Sequence, residues 1–176
     1  IDAFGVGERL ITAKSEPVFG CVYKLVAVED KDGNIVPKIK ISENVEKITN
    51  PHFKKLYRLY SKQTGKAIAD QLCVHDETID ETKPLTIFDP DFTWKKKRLT
   101  DFTARELQVQ IFRGGELVYE KPSLEEIRAY CAQQLDTLWD EVLRFENPHN
   151  YYVDLSKKLW NIKQELLGSK GRGDNS

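Results

Sequence analysis

Near the start of the chain stands Phe4-Gly5-Val6-Gly7, followed by Glu8. Holding a phosphate by backbone requires several N–H groups turned inward. Glycine lets the chain approach such an anion without a Cβ clash. Residues Ile1–Phe4 would supply the strand end that presents the loop. Taken alone, a Gly-x-Gly also fits an ordinary turn. A second group is a strip of cations and hydroxyls: Lys24, then Lys38, Lys40 and Ser42, then Lys47, Thr49, Lys54, Lys55 and Arg58. On an extended strand Lys38, Lys40 and Ser42 point to one side. Cations and a hydroxyl on one side suit a phosphate or pyrophosphate, and the same pattern describes a solvated strand face. Lys24 is set inside the apolar run Val22–Val28, where a lysine either snorkels to water or meets an anion.

Three other patterns carry less. His75-Asp76-Glu77 are adjacent, so they cannot all face one ion, and no His or Cys partner stands at ligand spacing; no metal site is expected. Trp94-Lys95-Lys96-Lys97-Arg98 reads as a short solvated loop. With a net charge of −1 the chain has no basic excess, so no nucleic-acid partner is expected. Arg172-Gly173-Asp174 matches an integrin-type adhesion tripeptide, a string that recurs often by chance.

These residues need elements to place them. Val18–Glu29 predicts a strand buried on both faces. Asp30–Asn34 is a hairpin turn, with Gly33 supplying positive φ, and Ile35–Ile41 returns as a strand whose Pro37 marks an edge or bulge. After Asn50-Pro51, Leu56–Tyr60 and Lys66–Val74 form a second hairpin across a turn that ends on Gly65. The acidic stretch His75–Lys83 predicts a domain boundary near residue 82. Beyond it come Leu85–Phe88, a third hairpin around Gly114-Gly115, and a helix opened by the capping box Ser123/Glu126. Leu124, Ile127, Cys131, Leu135, Leu138 and Val142 recur at helical spacing along that helix, which predicts a buried face up to Asn147-Pro148. Asp154–Leu167 predicts a second amphipathic helix. Residues 168–176 read as a disordered tail or terminal extension. Strands followed by strands and two helices give an α+β class.

The 176 residues are 40% hydrophobic and 31% charged, the balance of a folded globular protein. Three widely spaced cysteines without a CxxC argue for reduced thiols in a cytoplasmic protein. No apolar run nears 18 residues, so no membrane partner is expected. The chain lacks methionine and starts on Ile1, which leads us to expect a fragment.

In order along the chain, Ile1-Asp2-x-Phe4-Gly5-Val6-Gly7-x-x-Leu10, Val22-Tyr23-Lys24-Leu25-Val26 and Pro37-Lys38-Ile39-Lys40-Ile41-Ser42-Glu43-Asn44 with Lys47, Thr49 and Pro51 resemble three blocks of the nicotinate phosphoribosyltransferases. Tyr57-Arg58-Leu59-Tyr60 continues the third block. Leu85–Pro90 and Phe102–Leu167 are similar to the C-terminal extension of the longer bacterial enzymes. The resemblance implies a NAD salvage enzyme. It would join nicotinate to 5-phosphoribosyl 1-diphosphate, giving nicotinate mononucleotide and pyrophosphate, with ATP hydrolysis and magnesium, as a homodimer. It implies that residues 1–82 are the end of a type II phosphoribosyltransferase α/β barrel with strands returning to a sandwich domain. Residues 83–167 would then be a small C-terminal domain of a β-hairpin and two helices. The loop Gly5, Val6, Gly7 and Glu8 would hold the donor's phosphate. Lys24, Lys40, Ser42 and Lys47 would make further anion contacts. The family has threonine where Glu8 stands and Pro-Gly where Pro51-His52 stands, and its phosphorylated histidine lies upstream, outside this chain. A nicotinamide or quinolinate phosphoribosyltransferase shares the loop and remains an alternative, as does a non-catalytic interaction module.

Overall fold

The computed structural model describes residues 2–11 and 21–170. The expected polar connection Lys14–Pro17, the start of the Val18–Glu29 strand and the Arg-Gly-Asp tripeptide lie outside the described residues. A four-residue helix, α1 (Glu8–Ile11), follows the glycine loop. Strands β1 (Ala27–Glu29) and β2 (Ile35–Pro37) pair antiparallel as a small two-stranded sheet. The Asp30 carboxylate closes their turn by accepting the N–H groups of Asp32 and Asn34 at 2.9 and 2.8 Å. Gly33 takes φ 82°, a conformation that costs glycine nothing.

Among the described residues of the expected Val18–Glu29 strand, only Ala27–Glu29 is a strand. Val22, Tyr23 and Leu25 are 83%, 86% and 53% exposed, so the expected burial on both faces is corrected. Residues 21–26 have no strand partner among the described residues, and a lone strand leaves its backbone groups to water. Residues 38–42 are likewise irregular, so no pleat aligns Lys38, Lys40 and Ser42.

The centre of the structure is a four-stranded sheet. Strands β3 (Lys54–Ser61) and β4 (Ala67–Val74) form the expected hairpin. Further along, β5 (Leu85–Phe88) pairs with β6 (Lys96–Leu99). Strand β7 (Phe102–Glu106) adds antiparallel to β3, and β8 (Phe112–Arg113) and β9 (Glu116–Leu117) make a short hairpin over Gly114-Gly115. A last strand, β10 (Val153–Leu155), adds parallel to β4, giving the order β10-β4-β3-β7. The boundary expected near residue 82 falls inside this sheet, because β3 and β4 precede it while β7 and β10 follow it. The Trp94–Arg98 segment contributes to a strand rather than a loop, with Lys96, Lys97 and Arg98 exposed along it.

Two clusters hold the sheet. Leu59, Ala69, Ile87, Leu99 and Phe102 bring the β5–β6 hairpin onto β3, β4 and β7. Val74, Leu155 and Leu159 bring helix α4 (Lys157–Lys170) onto β4 and β10. The second expected helix therefore begins at 157, not 154, and it extends through Lys170, so Gly168–Lys170 are helical rather than part of a tail. Ser156 explains the start: its hydroxyl accepts the Leu159 N–H at 3.1 Å, as an N-cap does. The same hydroxyl donates to the Glu77 carboxylate at 2.6 Å.

Helix α2 (Leu124–Asp136) carries the predicted capping box: Ser123 N–H donates to Glu126 Oε2 at 2.7 Å, and Glu126 N–H donates to Ser123 Oγ at 3.3 Å. It ends eleven residues short of Asn147, and a separate turn of helix, α3 (Asp140–Leu143), follows. The break has a cause. Lys66 Nζ takes the carbonyls of Asp136 and Leu138 at 2.7 and 3.0 Å, and Ala67 N–H takes that of Thr137 at 2.8 Å. Those carbonyls are turned toward Lys66 and Ala67 rather than along the helical ladder. The expected buried face is corrected too: no residue of α2 is buried, and Leu124, Ile127 and Leu135 are 64%, 46% and 48% exposed. An open cleft of 510 Å³ lies between α2 and the side chains of Arg58 and Tyr151. The arrangement as a whole is α+β.

Candidate functional site

The glycine loop is exposed and irregular. Residues 5–7 carry no regular structure, and the Gly7 carbonyl accepts the Leu10 N–H at 3.0 Å as α1 begins. A Cβ built on Gly5 or Gly7 meets nothing within 4 Å, so both backbones are open to an approaching group. Glu8 is the first residue of α1.

The other expected anion contacts lie on a separate segment. Lys24 and Lys40 are exposed, and Ser42 is half-buried. Lys47 closes a 3-10 turn, Val45–Lys47, whose start is capped by the Asn44 side chain accepting the Glu46 N–H at 3.0 Å. Backbone pairing closes the base of this segment. Lys40 N–H donates to Thr49 Oγ1 at 3.0 Å and Thr49 N–H to the Lys40 carbonyl at 3.4 Å. The Val26 carbonyl accepts the N–H groups of both Lys38 and His52 at 2.8 Å. Lys24 stands two residues before Val26, whose carbonyl meets both flanks of the segment that carries Lys40, Ser42 and Lys47. Among the described residues, no hydrogen bond or ion pair links that stretch to Gly5, Val6 or Gly7.

Three cations of the expected strip have other work. Lys55 pairs with Glu106 at 3.7 Å. Arg58 makes a two-point bond to Asp70, Nε at 2.8 Å and an Nη at 3.0 Å. The hairpin register places these two residues directly opposite, a pairing that counting across the Ser61–Gly65 turn could have found. Lys54 is part-buried and donates to the carbonyls of Asn50 and His52 at 2.9 and 2.6 Å. Burial lowers its ammonium from the usual lysine value. The His75-Asp76-Glu77 group also disperses. His75 stacks on His52 with ring centroids 5.8 Å apart, Asp76 pairs with Lys158 at 2.6 Å, and Glu77 accepts the Val74 N–H. Among the described residues no group of three or more His, Cys, Asp or Glu could hold a metal ion.

One buried acid escapes a reading of the sequence. Asp154, on β10, is 5% exposed and faces a cavity of 930 Å³ walled by Phe88, Asp89, Trp139, His149 and Tyr152. Burial pushes its carboxyl up to about 6, and the Asp89 carboxylate adds to the rise. Nothing in its sequence context announces this, because its burial depends on a parallel pairing with β4 that spans some eighty residues. A carboxyl that holds its proton more tightly folded than unfolded stabilises the fold at low pH. That contribution is complete below about pH 4 and lost as pH rises to about 6. Asp154→Asn is expected to flatten this fall and to raise the unfolding free energy at pH 7 by about 1–3 kcal/mol. Urea titrations at pH 4.5 and 7 check it; equal pH dependence in both proteins would refute the assignment.

Known proteins share this arrangement. A family model described as the nicotinate phosphoribosyltransferase C-terminal domain matches residues 53–163, a stretch that takes in all four strands of the central sheet. A protein named nicotinate phosphoribosyltransferase from Bacillus subtilis (strain 168) is 41% identical, over 95% of this chain and 34% of its own length. Proteins of the same name from Dictyostelium discoideum and Homo sapiens are 32% and 30% identical, over 94% and 97% of this chain and 28% and 30% of their own lengths. The crystal structure of human nicotinic acid phosphoribosyltransferase superposes with a TM-score of 0.61 at 25% identity, over 68% of this chain and 24% of that one. The chain spans about a third of the length of the curated relatives it matches. Among the described residues, no helix is long and apolar enough to cross a membrane. The sheet and the match across it agree, and the chain belongs to the nicotinate phosphoribosyltransferase C-terminal domain family.

Proposed function

We propose that this chain is the C-terminal part of a cytoplasmic, homodimeric nicotinate phosphoribosyltransferase. In NAD salvage it would join nicotinate to 5-phosphoribosyl 1-diphosphate, giving nicotinate mononucleotide and pyrophosphate with ATP hydrolysis. The observation that carries the reading is the family match over residues 53–163, flanked upstream by the ordered blocks at Gly5–Gly7, Val22–Val26 and Pro37–Pro51. On this reading residues 1 to about 52 end the phosphoribosyltransferase core, as barrel and sandwich-domain strands. The sheet-centred unit that follows is the C-terminal domain. Val22, Tyr23 and Leu25 are exposed where core strands would cover them, which favours this division.

Glycosyl transfer at the ribose passes through a centre with oxocarbenium character. The enzyme must hold the sugar's phosphate still and stabilise the departing pyrophosphate. Gly5, Val6 and Gly7, with Glu8 after them, offer backbone N–H groups for the first task; a carboxylate near a phosphate is repelled, so the contact proposed for residue 8 is through its backbone. Lys24, Lys40, Ser42 and Lys47 offer cations and a hydroxyl to the second. ATP and magnesium enter this reading through the resemblance; among the described residues no group of three or more His, Cys, Asp or Glu could hold a metal ion.

Gly7→Asp in the full-length enzyme is expected to raise KM for 5-phosphoribosyl 1-diphosphate at least about tenfold, the scale of removing or opposing one charge-assisted hydrogen bond. The space around Gly7 is open, so the substitution tests ligand binding rather than chain strain. An unchanged KM removes the phosphate assignment.

A further inference from the structure

The candidate anion segment 40–49 is held from below by residues distant in sequence. Its two ends meet through the paired bonds of Lys40 and Thr49. The next residue, Asn50, is gripped twice. Its carbonyl accepts Lys54 Nζ at 2.9 Å, and its side-chain Oδ1 accepts Lys163 Nζ at 2.9 Å, from helix α4 and 113 positions away. Pro51 is buried, and His52 takes φ 79°, a left-handed conformation that a residue with a Cβ adopts only when its surroundings demand it. The demand is visible. The His52 N–H is tied to the Val26 carbonyl at 2.8 Å, its own carbonyl to Lys54 Nζ at 2.6 Å, and its ring Nδ1 to the Phe53 N–H at 3.0 Å. Two ammonium groups are thus directed to oxygens of Asn50 and His52 and not to carboxylates. Among the described residues neither donates to a carboxylate, although Glu and Asp are abundant in the chain. A part-buried ammonium bonded to carbonyl oxygens fixes their position more firmly than a neutral donor would.

We infer that Lys163 of helix α4, together with Lys54, is a positioning residue: through Asn50 it sets the placement of Lys40, Ser42 and Lys47, coupling the C-terminal helix to the donor's anion site. This rests on the proposed role of that segment in binding 5-phosphoribosyl 1-diphosphate. It assigns the C-terminal domain a task in the reaction that its distance in sequence from the loop would not suggest.

The test uses steady-state kinetics of the full-length enzyme. Lys163→Met keeps the aliphatic stem and removes the donor. It is expected to raise KM for 5-phosphoribosyl 1-diphosphate about tenfold with kcat within about twofold, the scale of one hydrogen bond to a charged group. Lys163→Arg should restore most of the loss. Asn50→Ala removes the acceptor from the other side. It should give the same KM rise, and the double variant should be no worse than either single change, since both delete one hydrogen bond. If Lys163→Met folds poorly, Asn50→Ala carries the same readout. Lys40→Ala separates the two ideas. If it leaves KM unchanged, the anion role of the segment falls. If it raises KM while Lys163→Met and Asn50→Ala lower only the melting temperature, the positioning role falls and the Lys163–Asn50 bond is structural.

Discussion

Asp70→Ala is expected to lower the unfolding free energy of the chain by about 3–5 kcal/mol, the cost of leaving one partner of a buried ion pair alone. Asp70 sits on the central strand β4, with a side chain 7% exposed, and meets Arg58 on β3 through two parallel bonds. The Tyr151 hydroxyl donates to the same carboxylate at 2.9 Å, and the Arg58 guanidinium lies 5.5 Å from the Tyr151 ring centroid. The bond to Asp70 raises the Arg58 guanidinium further above its usual range. Burial, aided by the Asp70 charge, raises the Tyr151 hydroxyl, so it remains a donor throughout the working pH range. Removing the carboxylate strands a guanidinium and a phenol beside the cleft along α2. The paired replacement Arg58→Met with Asp70→Leu leaves no orphan and is expected to cost much less than Asp70→Ala alone. Urea midpoints of the three proteins decide it. An Asp70→Ala loss below about 1 kcal/mol, the range of exposed pairs, would show that the triad is solvated and carries no structural weight.

What is legible in the sequence follows the range of the interactions. Turns and caps are local: the Asp30 turn and the Ser123/Glu126 box depend on residues within four positions and the β3–β4 hairpin on pairs no more than 20 apart, and each stands as expected. What depends on distant neighbours is not legible in the same way. Val22–Leu25 looks like a buried strand because it is apolar, yet burial also needs partners, and none is placed there among the described residues. Asp154 and Leu155 fit a helical period, yet Ser156 caps the helix after them and β4 recruits them as a parallel strand. The α2 stripe has the period of a buried face with nothing described that covers it. For the candidate site, the types and order of residues are readable and their support is not. Lys54 and Arg58 look like members of one cationic strip; the structure turns the first toward carbonyls and the second toward Asp70, leaving Lys24, Lys40 and Lys47 exposed.

The largest consequence of the sheet order concerns how the two halves of the chain stand together, and Phe102→Ala probes it. Phe102 is fully buried on β7, against Leu59, Ala69, Ile87 and Leu99, so truncation is expected to cost about 3–5 kcal/mol. Its strand lies after residue 82 and pairs with β3, which lies before it. Two probes sit on opposite sides of that point. With Trp94 and Trp139 replaced by Phe, Trp160 on α4 reports by fluorescence, and its indole donates to the Pro90 carbonyl at 3.0 Å. Cys73 on β4 is 2% exposed, with a thiol that burial pushes up to about 12, so it resists alkylation until the strand opens. Cys21 and Cys131 are exposed and are expected to be alkylated before it. If the sheet is one cooperative unit, Phe102→Ala lowers the urea midpoints of Trp160 fluorescence and Cys73 protection together and by the same amount. If residues 1–82 and 83–167 fold as separate domains, the fluorescence midpoint moves while Cys73 stays protected. Parallel pairing of β10 with β4 and antiparallel pairing of β7 with β3 give the two halves a shared hydrogen-bonded ladder on both flanks of the hairpin, which is why the coincident shift is the expected result.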